Sequence, residues 1–294
     1  MHSKQAEYTF AEVRRENTHC VVPRVYLPPL RFQPYLDAYV VTELTSTPAS
    51  SGRARRMPEG ASYISFLRGR KSASGVSDDA VLVVGGAQEH VHDIPVWDYQ
   101  FQCALRIKPG AAALILGPTV PLLTNAIVPL RDVWGERADC LFEQLVAARS
   151  DADHIRAISS AVEDVICERA FSAPLSVRLA NAVRCAGGNV RISQLAKDLG
   201  TTVRTLERRF KEEVGLTPKR YQRISRLAKV VGMLGDTEDW ARIAAECGFY
   251  DQSHLIDDCQ EVLGDSPERF SRNVASKEAL RIGLVFERNR GAQF

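Results

Sequence analysis

A chain of 294 residues, 25% of them charged and 45% hydrophobic, has the make-up of an ordinary globular protein with room for two domains. A net charge of +2 favours no class of partner, and no run approaches the ~18 uninterrupted apolar residues of a membrane span, so no membrane partner is expected. The opening "MHSKQAEYTFAEVRRENTHC" lacks a signal peptide's apolar core, and the cysteines at 20, 103, 140, 167, 185, 247 and 259 form no C-x-x-C pair; reduced, mostly buried thiols in a cytoplasmic protein are expected.

From about Tyr26 to Leu130, short runs such as "ASYISFLRG", "AVLVVGG" and "FQCALRIKPGAAALILG" alternate with Gly, Pro and Ser clusters, the pattern of a β-barrel or sandwich. "SGRARRMPEG" (51–60) reads as a solvated turn with a positive cluster. "QEHVHD" (88–93) sets His90 and His92 two apart, on one face if this is a strand. Neither His19 nor His154 sits in a comparable strand to complete a ligand set, so the two are expected to be loop histidines, with no metal and no cofactor. No Ser-His-Asp order, P-loop or G-x-G-x-x-G occurs, and "VLVVGGAQ" lacks the following helix that a phosphate site requires, so an enzyme is not expected. Tyr63, Phe66, Trp97, Tyr99 and Phe101 are candidates for the aromatic wall of a small-molecule pocket, or for ordinary core.

After Arg131 the period changes. Leu141, Leu145 and Ala148, then Ile155, Ile158, Val162, Val165 and Ile166, recur at helical spacing in two amphipathic helices, at 137–149 and 153–169. "FSAPLS" (171–176) breaks the second and reads as a linker, because Pro174 disfavours helix at Ala173. The spacing then predicts helix after helix from Ser176 to Asn273. Within that stretch a phrase is written twice, "FKEEVGLTPKRY" (210–221) and "CQEVLGDSPERF" (259–270). In each copy a Gly ends one helix and a Thr-Pro or Ser-Pro starts the next. Each is preceded by a short helix, a tight Gly-bearing turn and a second helix, so the chain holds two helix-turn-helix units.

The motifs "ISQLAKDLGTTVRTLERRFKEEVGLTPKRY" and "IAAECGFYDQSHLIDDCQEVLGDSPERF" resemble the DNA-binding domain of the AraC/XylS family of transcription regulators. "MPEGASYISF" and "LRIKPGAAALILG" resemble, less specifically, the sensor-type domains that precede it in one subgroup. The expected fold is α+β: an N-terminal β-barrel or sandwich-like domain with flanking helices, then an all-α domain with two helix-turn-helix units. The expected boundaries are 1–170 (sensory or dimerisation domain), 171–176 (linker), 177–273 (DNA-binding domain) and 274–294 (C-terminal tail). The resemblance implies a sequence-specific regulator acting on promoter or operator DNA, with RNA polymerase, a small-molecule effector and a second copy of the chain as further partners. The helices at 137–149 and 153–169 match those that form a dimer seam in the family; packing on their own domain would explain the same stripes. A barrel enzyme with an accessory helical domain, or a scaffold with weakened DNA binding, are the rival readings.

On the second helix of the first unit, Val203, Leu206 and Phe210 share one face, which leaves Arg204, Thr205, Arg208 and Lys211 on the other, behind a Thr202 cap. Arg donors there suit the O6 and N7 acceptors of guanine. The resemblance places Arg204, Glu207 and Arg208 against bases. Lys219, Arg220 and Arg223, beginning just after Pro218, are expected to hold phosphate. Gln252, Ser253 and His254 are the matching candidates in the second unit. Residues 191–230 carry eleven Lys and Arg against four acids, and residues 231–272 three Arg against ten acids, that is +7 against −7. With Asp257 where the family usually has a cation, the second unit is expected to bind DNA weakly, or to face a protein.

Overall fold

The computed structural model describes residues 10–11, 23–43, 54–69, 80–93, 99–169, 175–233, 239–273 and 284–286. The first half is antiparallel sheet. Its strands are β1 (Phe10–Ala11), β2 (Arg24–Tyr26), β3 (Leu36–Glu43), β4 (Ala54–Arg56), β5 (Ser62–Gly69), β6 (Ala80–Gly85), β7 (His92–Asp93), β8 (Tyr99–Ile107) and β9 (Ile127–Pro129). Seven strands form one sheet in the order β1-β2-β3-β8-β5-β6-β9. A smaller sheet joins β4 to β7 and to β10 (Leu284–Phe286), which comes from the far end of the chain.

Alternation along the central strands separates two faces. Phe66 of β5 stands opposite Leu82 of β6 and Cys103 of β8, and this face is buried core. It is covered by α3 (Glu136–Ala147) and α4 (Asp151–Arg169), whose Leu141, Leu145, Ile155, Ile158, Val162 and Ile166 belong to the same cluster. The apolar stripes that also suited a dimer seam are therefore spent on the chain's own sheet. Two polar ties fix the helices to it: Ser159 Oγ donates to the Tyr39 hydroxyl at 2.7 Å, and Asp151 accepts from Arg24 and from Tyr26. Phe66 and Phe101 lie edge to face in this core, whereas Tyr63 and Tyr99 line a cavity on the other face of the sheet; Trp97 is outside the described residues.

Two short helices, α1 (Ala112–Leu116) and α2 (Arg131–Trp134), flank a 3-10 turn at Gly117–Leu123 and lead into α3. The second half is helical: α5 (Leu175–Cys185), α6 (Ile192–Asp198), α7 (Val203–Val214), α8 (Pro218–Gly232), α9 (Trp240–Glu246), α10 (Gln252–Leu263) and α11 (Pro267–Asn273). Helix α8 serves two cores. Its Tyr221 and Ile224 join Leu179, Val183, Leu206 and Phe210, while its Leu227 and Val230 join Ile243, Leu255, Val262 and Phe270.

Three expectations change. The segment expected to be a solvated turn at 51–60 holds β4, which pairs on both sides; the part at 51–53 is outside the described residues. Of the expected linker, 171–174 lie outside the described residues, and Leu175 and Ser176 already belong to α5. The expected tail contains β10, which returns to pair with β4. Among the six described cysteines, Cys103, Cys247 and Cys259 are buried and Cys140, Cys167 and Cys185 exposed. Among the described residues no helix is long and apolar enough to cross a membrane, and no cluster of three or more His, Cys, Asp or Glu is placed to hold a metal.

Candidate nucleic-acid interface

The second helix of each unit is punctuated at both ends. In α7 the Thr202 hydroxyl accepts from the Thr205 amide at 3.2 Å, and Gly215 ends the helix in the left-handed region at φ 87°. In α10 Asp251 accepts from the His254 amide at 2.8 Å, and Gly264 closes it at φ 74°. The α8 start is capped in the same way, Thr217 accepting from the Arg220 amide at 3.3 Å.

Helix α7 buries Leu206, Phe210 and Val214 and leaves Arg204, Glu207, Arg208 and Lys211 exposed, with Thr205 half-buried beside the cap. Among the described residues Arg208 pairs with Glu212 alone, at 3.1 Å on the surface. Such pairs contribute about 0–1 kcal/mol, so the guanidinium is free to exchange that partner for a base edge. Lys219 is also exposed. In the second unit Gln252, Ser253 and Asp257 are exposed, and the His254 ring packs edge-on against Phe249.

Arg223 departs from expectation. Its Nε lies 2.8 Å from Asp258 and its terminal nitrogens bridge to Glu261, which clamps α8 to α10. Arg226 approaches the same Asp258 at 3.7 Å. A guanidinium that satisfies two carboxylates between packed helices has no donor edge left for phosphate. Arg220 is shared between Glu261 at 3.7 Å and Glu89 of the first half at 3.5 Å, though its side chain stays half-exposed. Asp258 is likewise not a surface charge, being 5% exposed. The −7 count of the second unit therefore overstates the negative field it presents, because Asp258, Glu261 and Asp265 are all paired with cations from α8 or from the first half. The hydrogen bonds of Glu261 to Arg223 hold its carboxyl below the usual range. Sequence reasoning missed this network although a signal existed: residues 255, 258, 259 and 262 form an apolar stripe, and a carboxylate on such a stripe demands a buried cation.

The first half grips both units. Thr124 Oγ1 donates to the Gly215 carbonyl at 3.0 Å, and a Cβ at Gly215 would fall 2.3 Å from the Thr124 Oγ1. Against the second unit, the Val91 amide donates to the Val262 carbonyl at 3.0 Å, His90 Nδ1 lies 3.1 Å from the Glu261 carbonyl, and Met57 enters its apolar core. His90 and His92 thus part company, His92 lining the cavity instead.

Residues 195–273 match the model of a helix-turn-helix domain. Over 85 residues the chain is 31% identical to the HTH-type transcriptional activator RhaS of Pectobacterium atrosepticum, which is 29% of this chain and 30% of that one. Over 74 residues it is 36% identical to RhaS of Escherichia fergusonii, 25% of this chain and 27% of the other. The chain thus carries an AraC-type helix-turn-helix domain in its C-terminal part. It spans less than a third of the length of these activators. ToxT of Vibrio cholerae superposes with a TM-score of 0.38 at 12% identity, over 81% of this chain and 98% of that one. The AraC/XylS-type domain comprises the tandem units, with α8 as the spine between them, and it follows an antiparallel sheet region in the same chain.

Proposed function

We infer that this chain is a sequence-specific transcription regulator that reads promoter or operator duplex through the exposed face of α7. Thr202, Arg204, Thr205, Glu207, Arg208 and Lys211 face the bases or the groove walls, Lys219 holds a backbone phosphate, and Gln252, Ser253 and His254 present the second contact. Arg220 and Arg223 position the units relative to each other. The observation that carries this reading is a helix with one sealed apolar side, both ends capped, and an opposite side of uncommitted long donors. The first half acts as a sensory domain, the activity is not enzymatic, and the protein works in the cytoplasm. Contacts with RNA polymerase and between two copies of the chain belong to the same reading. Genome-wide occupancy followed by hydroxyl-radical footprinting on a recovered site tests it: protection should centre on one major groove. Uniform, sequence-independent protection would overturn the reading.

A further inference from the structure

A cavity of about 160 Å³ lies between the large sheet and the small one, on the face of β5, β6 and β8 away from the helices. Resting on the reading of the first half as a sensory domain, we propose that this cavity binds a small organic acid, its single carboxylate paired with Arg56 and its flat or short apolar body held among Leu67, Val81, Val83 and Ile127.

Size limits the guest first. An engineered apolar cavity of about 150 Å³ holds one benzene, so a single ring or a short chain fits and a dinucleotide or long lipid does not. Chemistry then selects the class. The guanidinium of Arg56 stacks on the Tyr63 ring at 3.8 Å, which occupies its face and leaves its edge of N–H donors for a ligand. The neighbouring carboxylate is already spent: Glu59 accepts from Arg106 and from the Tyr63 hydroxyl. Among the described residues no carboxylate pairs with Arg56. One planar, singly charged fork matches one carboxylate. A dianionic phosphate would need a second permanent cation, which the described lining does not supply.

The same wall holds the DNA-binding half. Arg56, Gln88 and His92 line the cavity, while their neighbours reach the other way: Arg55 to Asp265 at 4.0 Å, Glu89 to Arg220 at 3.5 Å, and Val91 to Val262. An anion that draws Arg56 inward shifts the strand that carries Arg55, so the acid changes the grip on the second unit and with it DNA affinity.

The test uses full-length protein and three matched pairs: benzoate and benzamide, phenylacetate and phenylacetamide, hexanoate and hexanamide. Calorimetric titration should find at least one acid that binds about tenfold or more tightly than its amide, the loss expected for removing one charge-assisted contact. Arg56→Gln should erase that preference, and Val83→Phe, which fills the cavity and leaves Arg56 in place, should remove binding of both members. Should Arg56→Gln not fold, Arg56→Lys replaces it, and it should keep the preference for acid over amide with a lower affinity. No binding by any of the six compounds, an amide equal to its acid, or acid binding intact in Arg56→Gln or Val83→Phe would overturn the proposal. DNA retention measured without any acid separates the two readings: if it persists while acid binding fails, only the ligand assignment falls.

Discussion

Arg208 and Asp258 are both charged residues on the second helix of a helix-turn-helix unit, and their surroundings give them opposite tasks. Arg208 is exposed and, among the described residues, held only by Glu212, so Arg208→Ala should leave the melting temperature unchanged while specific DNA binding weakens by about 1–3 kcal/mol, the range for one bidentate base contact. Equal losses on specific and random duplex would make it a phosphate contact. Asp258 is buried between two arginines, and removing its charge leaves Arg223 with Glu261 alone and takes from Arg226 its carboxylate partner among the described residues. Asp258→Asn should cost about 2 kcal/mol in urea unfolding, below the ~3–5 kcal/mol of a fully buried pair because Arg223 keeps some solvent. An unchanged midpoint would mean that the pair is a surface contact. Asp257, one residue earlier, points outward. Asp257→Arg should steepen the log–log salt dependence of DNA binding by about 0.9, one added phosphate contact, and an unaltered slope would place this face away from the duplex.

At the scale of elements, α4 carries a pH-sensitive seam. His154 Nδ1 donates to the Ser150 carbonyl at 2.7 Å, its ring stacks near Phe101, and Arg68 lies 3.5 Å from Nε2. Burial, then the Arg68 charge, lowers its pKa below the ordinary 6.5. The unfolded chain therefore takes up the proton first. The stability contributed by the neutral ring is complete above pH 6.5 and is lost as pH falls from 6.5 towards the depressed folded value. Melting temperature should drop more between pH 7 and 5 for the native chain than for His154→Gln, and parallel profiles would show that the ring does not titrate. The helices of both units were legible in the sequence because their signals are local: Thr202 and Gly215 bracket α7, and Asp251 and Gly264 bracket α10. The sheet was legible only as strands. Period two says that Tyr63 and Phe66 face opposite ways but not which way the helices lie, so both entered one list of pocket candidates. Strand β4 gave no signal, since three residues with two arginines carry no apolar alternation and its partners are far along the chain.

For the whole molecule, the question is how far the DNA-binding half depends on the first. Its two cores are almost entirely its own, with Met57 and Ala87 as the buried contributions from outside. A fragment of residues 172–273 should therefore unfold cooperatively by circular dichroism and retain DNA. Its second unit should exchange amide protons faster than in the intact chain, because Met57 and the Val91 to Val262 bond are gone, while α6, which packs on α7, changes less. A molten fragment would show that the two halves form one cooperative unit. Equal exchange in both units would show that Met57 contributes little.

The pairing of β10 with β4 also orders events in time. Arg56 aligns with Leu284, so β4 leaves the ribosome more than two hundred residues before the strand that completes its sheet. At about 5–20 residues per second, that strand waits roughly 10–45 s with one edge unpaired. Charged residues on such an edge discourage pairing with another nascent chain, and β4 carries two in succession, Arg55 and Arg56. The arginines that later face Asp265 and the cavity would first serve as chaperones of their own strand.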